Sequence, residues 1–342
     1  MTNGIDAVLT GGASWHIALG DVRDVLSLIP DNSVHCVATS PPYFGLRDYG
    51  VDGQIGLEPT PAQFVTSMTE VFRDVRRVLH PSGVLWLNLG DSYAGSWKNQ
   101  GRGEGRGTQR KINGPSLQRF DGHPAPASGA GKVPEGLKPK DLIGIPWRVA
   151  LALQDDGWWL RSDVIWAKGQ SFDPDDAGSV MPESVTDRPT KGHEYVFLLT
   201  KSARYFYDAE AVKEPAARGA AGSSFSTGKT AIQQLGRASS QDRVENNGRN
   251  LRTVWRINPE PFSGAHFATF PTKLVETMIA AGSRPGDVVL DPFSGAGTTV
   301  MQALRMGRRA IGIELNPEYR RISIERIAAD APMLNGAPAV AE

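Results

Sequence analysis

The chain has 342 residues with 37 lysines and arginines against 37 aspartates and glutamates, so formal net charge is zero and does not announce a polyanionic partner. That length allows one large α/β domain or two small ones. The single cysteine, Cys36, excludes intrachain disulfides and a cysteine-based zinc site; no apolar run approaches a membrane span and no signal-peptide pattern opens the chain, so a cytoplasmic protein without a metal or a membrane partner is expected.

Residues 1 to 14 are weakly patterned. His16 to Leu19 reads as a strand ending at Gly20-Asp21, and Val22 to Ile29 has helical apolar spacing closed by Pro30. Val34 to Ala38 is a mostly apolar, β-branched run in which Cys36 reads as a buried, inert thiol. The run ends in Thr39-Ser40-Pro41-Pro42-Tyr43. Ser40 offers a hydroxyl acceptor, the Pro41 carbonyl is held on a stiff backbone, and Tyr43 adds a flat ring. A planar base with an exocyclic amino group would find there two acceptors and a stacking face. A proline turn that only caps a strand accounts for the same residues.

A glycine-rich loop, 44 to 59, carries Arg47, Asp48 and Tyr49 and is placed to close over a substrate. Thr60, Pro61 and Gln63 then form a capping box for a helix with Phe64, Met68, Val71, Phe72, Val75, Val78 and Leu79 as its apolar stripe. Pro81 and Gly83 are read as ending that helix, with a buried strand at Val84 to Leu89.

From Gly90 to Lys140 the chain is rich in Gly, Pro, Ser and Arg and too poor in apolar residues to pack a core. A helix over 146–154, strands around 160–166 and 194–200, and a second low-complexity stretch from Asp208 to Leu251 follow. Both low-complexity stretches carry basic excess, while acids gather between Asp155 and Asp187; such segregation suits a phosphate-contacting surface, and equally suits solvated loops. In the last quarter a helix from Pro271 to Gly282 precedes a βαβα unit, with strands at 288–290 and 310–313 and helices at 297–305 and 317–329.

Within that unit, Asp291-Pro292-Phe293-Ser294-Gly295-Ala296-Gly297-Thr298-Thr299 lies between strand and helix. Glycines there let backbone approach a ligand, and Glu314, at the next strand tip, stands where an acid would take ribose hydroxyls. The spacing matches neither the dinucleotide fingerprint nor the phosphate-binding loop with its lysine.

Taken together, Ser40-Pro41-Pro42-Tyr43 and the Asp291 to Thr299 loop resemble the two defining motifs of the S-adenosylmethionine-dependent DNA amino-methyltransferases. The catalytic motif comes first and the cofactor motif near the C-terminus, the permuted order of the beta group. Further matches are Gly20-Asp21, the run Arg188 to Tyr195 before a strand, and His266-Phe267-Ala268-Thr269-Phe270-Pro271, so the resemblance spans roughly residues 16 to 325.

The resemblance implies an α/β fold with a Rossmann-like, mostly parallel sheet, helices on both faces (the class I methyltransferase fold) and loop-rich insertions. The corresponding division is a catalytic half (1–96), a flexible basic insertion (97–140), a continuation of the domain (141–207), a loop-rich candidate target-recognition region (208–256), a cofactor-binding half (257–330) and a frayed tail (331–342). S-Adenosyl-L-methionine is the implied cofactor. Phe293, Gly295, Gly297 and Thr298 would surround its methionine and ribose parts with Asp291 nearby; Glu314 would hold the ribose hydroxyls, Asp21 would lie by the adenine, and Thr269 with Phe270 would line the amino-acid end. Ser40, Pro41, Pro42 and Tyr43 would be the catalytic residues.

The implied partner is double-stranded DNA; a homodimer and a cognate restriction endonuclease acting on the same site are compatible with it. Serine at the first motif position goes mostly with N4-cytosine in this family, with N6-adenine as the alternative. Hydrogen bonds from the target amine to Ser40 Oγ and the Pro41 carbonyl would favour a pyramidal nitrogen with its lone pair free for the methyl. Ring-carbon methylation would need a thiolate nucleophile and is rejected. A non-catalytic nucleic-acid-binding module on the same fold, and methylation of RNA or protein glutamine, are the contrasting readings.

Overall fold

The computed structural model describes residues 2–46, 50–95, 133, 136–169, 185–215, 248–260 and 270–330. Its elements are α1 (Thr2–Thr10), β1 (Trp15–Leu19), α2 (Val22–Ser27), β2 (Val34–Thr39), α3 (Pro61–Val78), β3 (Leu79–Leu89), α4 (Ile145–Asp155), β4 (Trp159–Ala167), β5 (His193–Thr200), β6 (Val254–Arg256), α5 (Thr272–Gly282), β7 (Val288–Asp291), α6 (Thr298–Arg305), β8 (Arg309–Glu314) and α7 (Pro317–Asp330). The strands form one sheet in the order β1-β8-β7-β2-β3-β5-β4-β6. All neighbours are parallel except β5, which runs antiparallel to both β3 and β4.

Strand periodicity sorts the core into two layers. Along β3, Leu85, Leu87 and Leu89 pack with α2, α3 and α4, whereas Val84 and Trp86 pack on the other face with Leu274, Val275 and Met278 of α5 and Val300 of α6. Thr60 caps α3, its hydroxyl accepting from the Gln63 amide at 3.2 Å, and all of Phe64, Met68, Val71, Phe72, Val75 and Val78 are buried. Asn316 caps α7, its Oδ1 accepting from the Glu318 amide at 2.9 Å.

Three local expectations need correction. Residues 2–10 form α1, whose Ile5 and Val8 are fully buried; a stripe this short, flanked by Gly4, Gly11 and Gly12, is not distinctive in the sequence. β3 begins at Leu79, so Pro81 and Gly83 lie inside a strand. They are tolerated because Val34 pairs with Leu79 but Cys36 with Val84, a bulge that takes the intervening residues out of the ladder. Finally, Val254–Arg256, inside the segment expected to be loop-rich, adds β6 to the sheet edge beside β4.

The end of α5 sits tightly on the sheet. A Cβ at Gly282 would fall 2.6 Å from Val84 Cγ2 and 2.8 Å from Cys36 Sγ. Gly282→Ala is therefore expected to cost about 1–3 kcal/mol, read as a lower urea midpoint at unchanged slope.

Candidate active site

In the parallel part of the sheet, β1, β2, β7 and β8 all deliver their C-terminal tips to one edge, where α/β sheets bind ligands. A cleft of about 1010 Å³ including its open mouth lies there. Its wall takes Gly20 and Asp21 after β1, Ser40 and Pro42 after β2, Phe293, Ser294, Gly295 and Thr298 after β7, and Glu314 with Asn316 at β8; Phe270 closes one side. Ser40 and Gly295, 255 positions apart in the numbering, thus share one cavity. Thr269 lies outside the described residues.

β2 and β7 are stitched together just behind the wall. Thr39 Oγ1 donates to Asp291 Oδ1 at 2.7 Å, and Thr299 Oγ1 donates to the Ala38 carbonyl at 3.1 Å. Asp291 also accepts from the Phe293 amide at 3.1 Å and is 1% exposed, so it braces the loop and does not line the cleft. Burial pushes its carboxyl up to about 6, against the hydrogen bonds it accepts.

Glu314 is buried in the wall itself. Its Oε2 accepts from the Gly295 amide and its Oε1 from the Asn316 amide, both at 2.8 Å, and the carboxylate lines the cleft where a diol can reach it. Burial pushes this carboxyl up to about 7, opposed by the backbone amides of Asn316, Gly295 and Leu315 and reinforced by nearby Asp291. At Gly295, φ is +51° and an added Cβ would meet nothing within 4 Å, so the backbone there faces open space. Gly297 serves differently: with φ +75° it caps α6, and a Cβ would fall 3.0 Å from Ser323 Cβ on α7.

Asp21 caps α2, and its carboxylate is gripped by Arg23, whose Nε reaches Oδ1 at 2.8 Å and Nη2 reaches Oδ2 at 2.5 Å. The Arg23 guanidinium holds that carboxyl below its ordinary value, and the same Nη2 donates to the Gly53 carbonyl at 3.3 Å, fastening the glycine-rich loop over the cleft. Arg326 of α7 secures the other side, donating to the Ala296 carbonyl at 3.0 Å and to Thr298 Oγ1 at 2.8 Å. Sequence reasoning passed over both arginines, because neither belongs to a motif.

Pro41 and Tyr43 do not line this cleft. The Tyr43 ring lies on Gly90, where an added Cβ would fall 2.4 Å from its Cε2, and its hydroxyl points to Glu194 and Asn88. Cys36 is fully buried and burial pushes its thiol up to about 12, which removes it as a nucleophile. Of the basic residues in 97–140, Lys138 and Lys140 are described, paired with Asp141 and Asp187; residues 97–132, 216–247 and the tail 331–342 lie outside the described residues. No helix among the described residues is long and apolar enough to cross a membrane.

A sheet with this strand order and a ligand cleft at the tips of β1, β2, β7 and β8 defines a class I methyltransferase. The family model described as DNA methylase matches residues 34–325. The type II methyltransferase M.Cfr9I of Citrobacter freundii is 45% identical, covering 91% of this chain and 87% of its own, and M.SmaI of Serratia marcescens is 43% identical over 92% and 91%. Among solved structures, a Thermus thermophilus protein complexed with S-adenosyl-L-methionine superposes with a TM-score of 0.55 at 26% identity, covering 93% of this chain and 96% of that one. The fold is shared as well by the PvuII DNA methyltransferase, described as cytosine-N4-specific, with TM-score 0.57 at 19% identity and coverage of 95% and 94%. The chain belongs to the DNA methylase family, and the expected S-adenosylmethionine-dependent methyltransferase on a class I fold holds.

Proposed function

We propose that the chain transfers a methyl group from S-adenosyl-L-methionine to the exocyclic N4 of a flipped-out cytosine in duplex DNA. The observation that carries this reading is the shared cleft wall of Ser40 and the Phe293 to Gly295 turn, which brings an amine acceptor beside a nucleoside-sized site. The residues present fit the cofactor: Glu314 and Asp21 each line the cleft with a carboxylate, and the backbone at Gly295 leaves room. Bound there, it supplies an electrophilic methyl on a sulfonium.

Glu314 would accept the ribose hydroxyls, Asp21 would lie by the adenine, Phe293, Gly295 and Thr298 would surround the central part, and Phe270 would line the amino-acid end, the role that the resemblance also gives to Thr269. Asp291 and Gly297 hold this loop in shape from behind. Ser40 Oγ and the Pro41 carbonyl accept the two N–H bonds of the target amine, while Pro42 stiffens the turn and the Tyr43 ring supports the base. Serine at position 40 favours cytosine N4 over adenine N6. Segments 97–140 and 208–256 take target recognition, on the strength of their basic excess. As a type II modification enzyme it would work in the cytoplasm of a prokaryotic cell, opposite a cognate endonuclease cutting the same site.

Incubation with unmethylated genomic DNA and S-adenosylmethionine, followed by nucleoside mass spectrometry, is expected to yield N4-methylcytosine. N6-methyladenine instead would replace the base assignment, and neither product would overturn the reading.

A further inference from the structure

Because β5 runs antiparallel to its neighbours, its first residues stand at the same sheet edge as the tips of β2 and β3. Leu89 pairs with Tyr195, and Trp166 at the end of β4 pairs with Glu194. Glu194 is thereby brought to the proline motif, its carboxylate meeting Tyr43 from 151 positions away. Its Oε2 accepts from Tyr43 Oη at 2.6 Å and from Asn88 Nδ2 at 3.2 Å, while Lys168 Nζ donates to Oε1. Ser40 Oγ is 3.4 Å from Tyr43 Oη.

Hydrogen counting gives this chain a direction. Asn88 Nδ2 faces two groups that only accept, the Glu194 carboxylate and the Tyr195 carbonyl at 3.1 Å, so its amide orientation is set and its Oδ1 faces Tyr43 Oη at 3.2 Å. Tyr43 has one hydroxyl hydrogen, and the shorter, charge-assisted contact to Glu194 takes it. Tyr43 Oη then meets Ser40 only as an acceptor, so the Ser40 hydrogen points at Tyr43. Ser40 is left presenting oxygen lone pairs.

We propose that Glu194, held by Lys168, is a positioning residue that acts through Tyr43 to turn Ser40 into an obligate acceptor for the target amine and to draw off the proton that the amine releases. This deepens the proposed function and rests on it. The nitrogen that has formed its new bond to carbon is cationic with one proton too many. That proton passes to Ser40 Oγ as the Ser40 hydrogen passes to Tyr43 Oη and the Tyr43 hydrogen passes to Glu194 Oε2. Each hydroxyl ends with one hydrogen, the nitrogen ends neutral, and the carboxylate ends as a carboxylic acid that later loses its proton to water. An ion pair that only ties β4 to β5 would have no such link to Ser40.

The test is a double-mutant cycle with Tyr43→Phe and Glu194→Gln. It measures single-turnover methyl transfer from tritiated S-adenosylmethionine to unmethylated genomic DNA, together with cofactor affinity by titration calorimetry and urea unfolding of the free protein. Each single variant is expected to slow transfer about 10- to 100-fold, with cofactor affinity within about twofold. The double variant is expected to be no slower than the slower single one, because both break the same chain. Multiplying effects, or a variant that loses stability but keeps its rate, would overturn the proposal. If Glu194→Gln does not fold, Glu194→Asp replaces it in the cycle, and an unchanged rate in Tyr43→Phe alone is already decisive against it. Absence of methyl transfer by the unmodified protein would instead refute the underlying function.

Discussion

Ser40→Ala is expected to cut single-turnover methyl transfer by about 10²- to 10³-fold while leaving cofactor affinity within about twofold, the scale on which losing one preorganised hydrogen-bonding partner acts on a transition state. The substitution removes one oxygen from a half-buried position, so stability should move by less than about 1 kcal/mol. Ser40 shares the cleft with Phe293 and Gly295 while its hydroxyl bonds to Tyr43, away from that loop, which is why binding and chemistry should separate. A variant that binds cofactor normally and transfers at the unmodified rate would remove Ser40 from the reaction. A variant that loses cofactor would show that Ser40 shapes the cofactor site instead.

The second large effect belongs to Glu314, and its sign is unusual. A surface glutamate sits at its ordinary value of 4.5, but burial raises this one to about 7 in the fold. Between those values the folded chain holds the extra proton, so the stability it contributes is fully present below about pH 4.5 and is lost as pH rises through about 7, a total of about 3 kcal/mol. Asp291, raised from 3.8 to about 6, acts in the same direction over a lower window. Ribose hydroxyls, however, need the ionised carboxylate as acceptor. Stability of the free protein should therefore fall from about pH 4.5 to about 7 on account of this group, while cofactor affinity rises over the same range. Thermal unfolding and calorimetric titration over the same buffers check the pair of slopes, and slopes of the same sign would contradict the role given to Glu314.

Glu314→Gln sharpens the point. An amide can accept only through its oxygen, so its NH2 must face either the Gly295 or the Asn316 amide, both of which are donors now bonded to the carboxylate. The cofactor affinity of the variant should drop by about 10- to 100-fold above about pH 7, where bonds to a charged acceptor are lost, and its pH dependence should flatten. Affinity unchanged in that alkaline range would mean that the ribose is held elsewhere.

Much of this site was legible before any coordinates because its parts are local. The capping box Thr60-Pro61-Gln63, the glycine pair Gly295 and Gly297 ahead of α6 and the acid at the tip of β8 are each set by neighbours within a few positions, where backbone hydrogen bonds and steric limits act. Local pattern failed where a tertiary contact overrode it. Pro81 and Gly83 read as a stop and became part of a bulged strand, and α1 formed around two buried side chains that only the rest of the core could hide.

The order of the strands is a different kind of property. Sequence by itself determined that a proline-tyrosine turn and a glycine turn each follow a buried strand, and hence what chemistry each could offer. Only the assembled sheet put β2 beside β7, so that Thr39 reaches Asp291 across 252 positions, and reversed β5, so that Glu194 arrives at Tyr43. The physical reason is range: capping, turn geometry and apolar period are decided by residues a few places apart. Strand neighbours are decided by which arrangement buries every apolar face at once, and no short stretch of chain contains that answer.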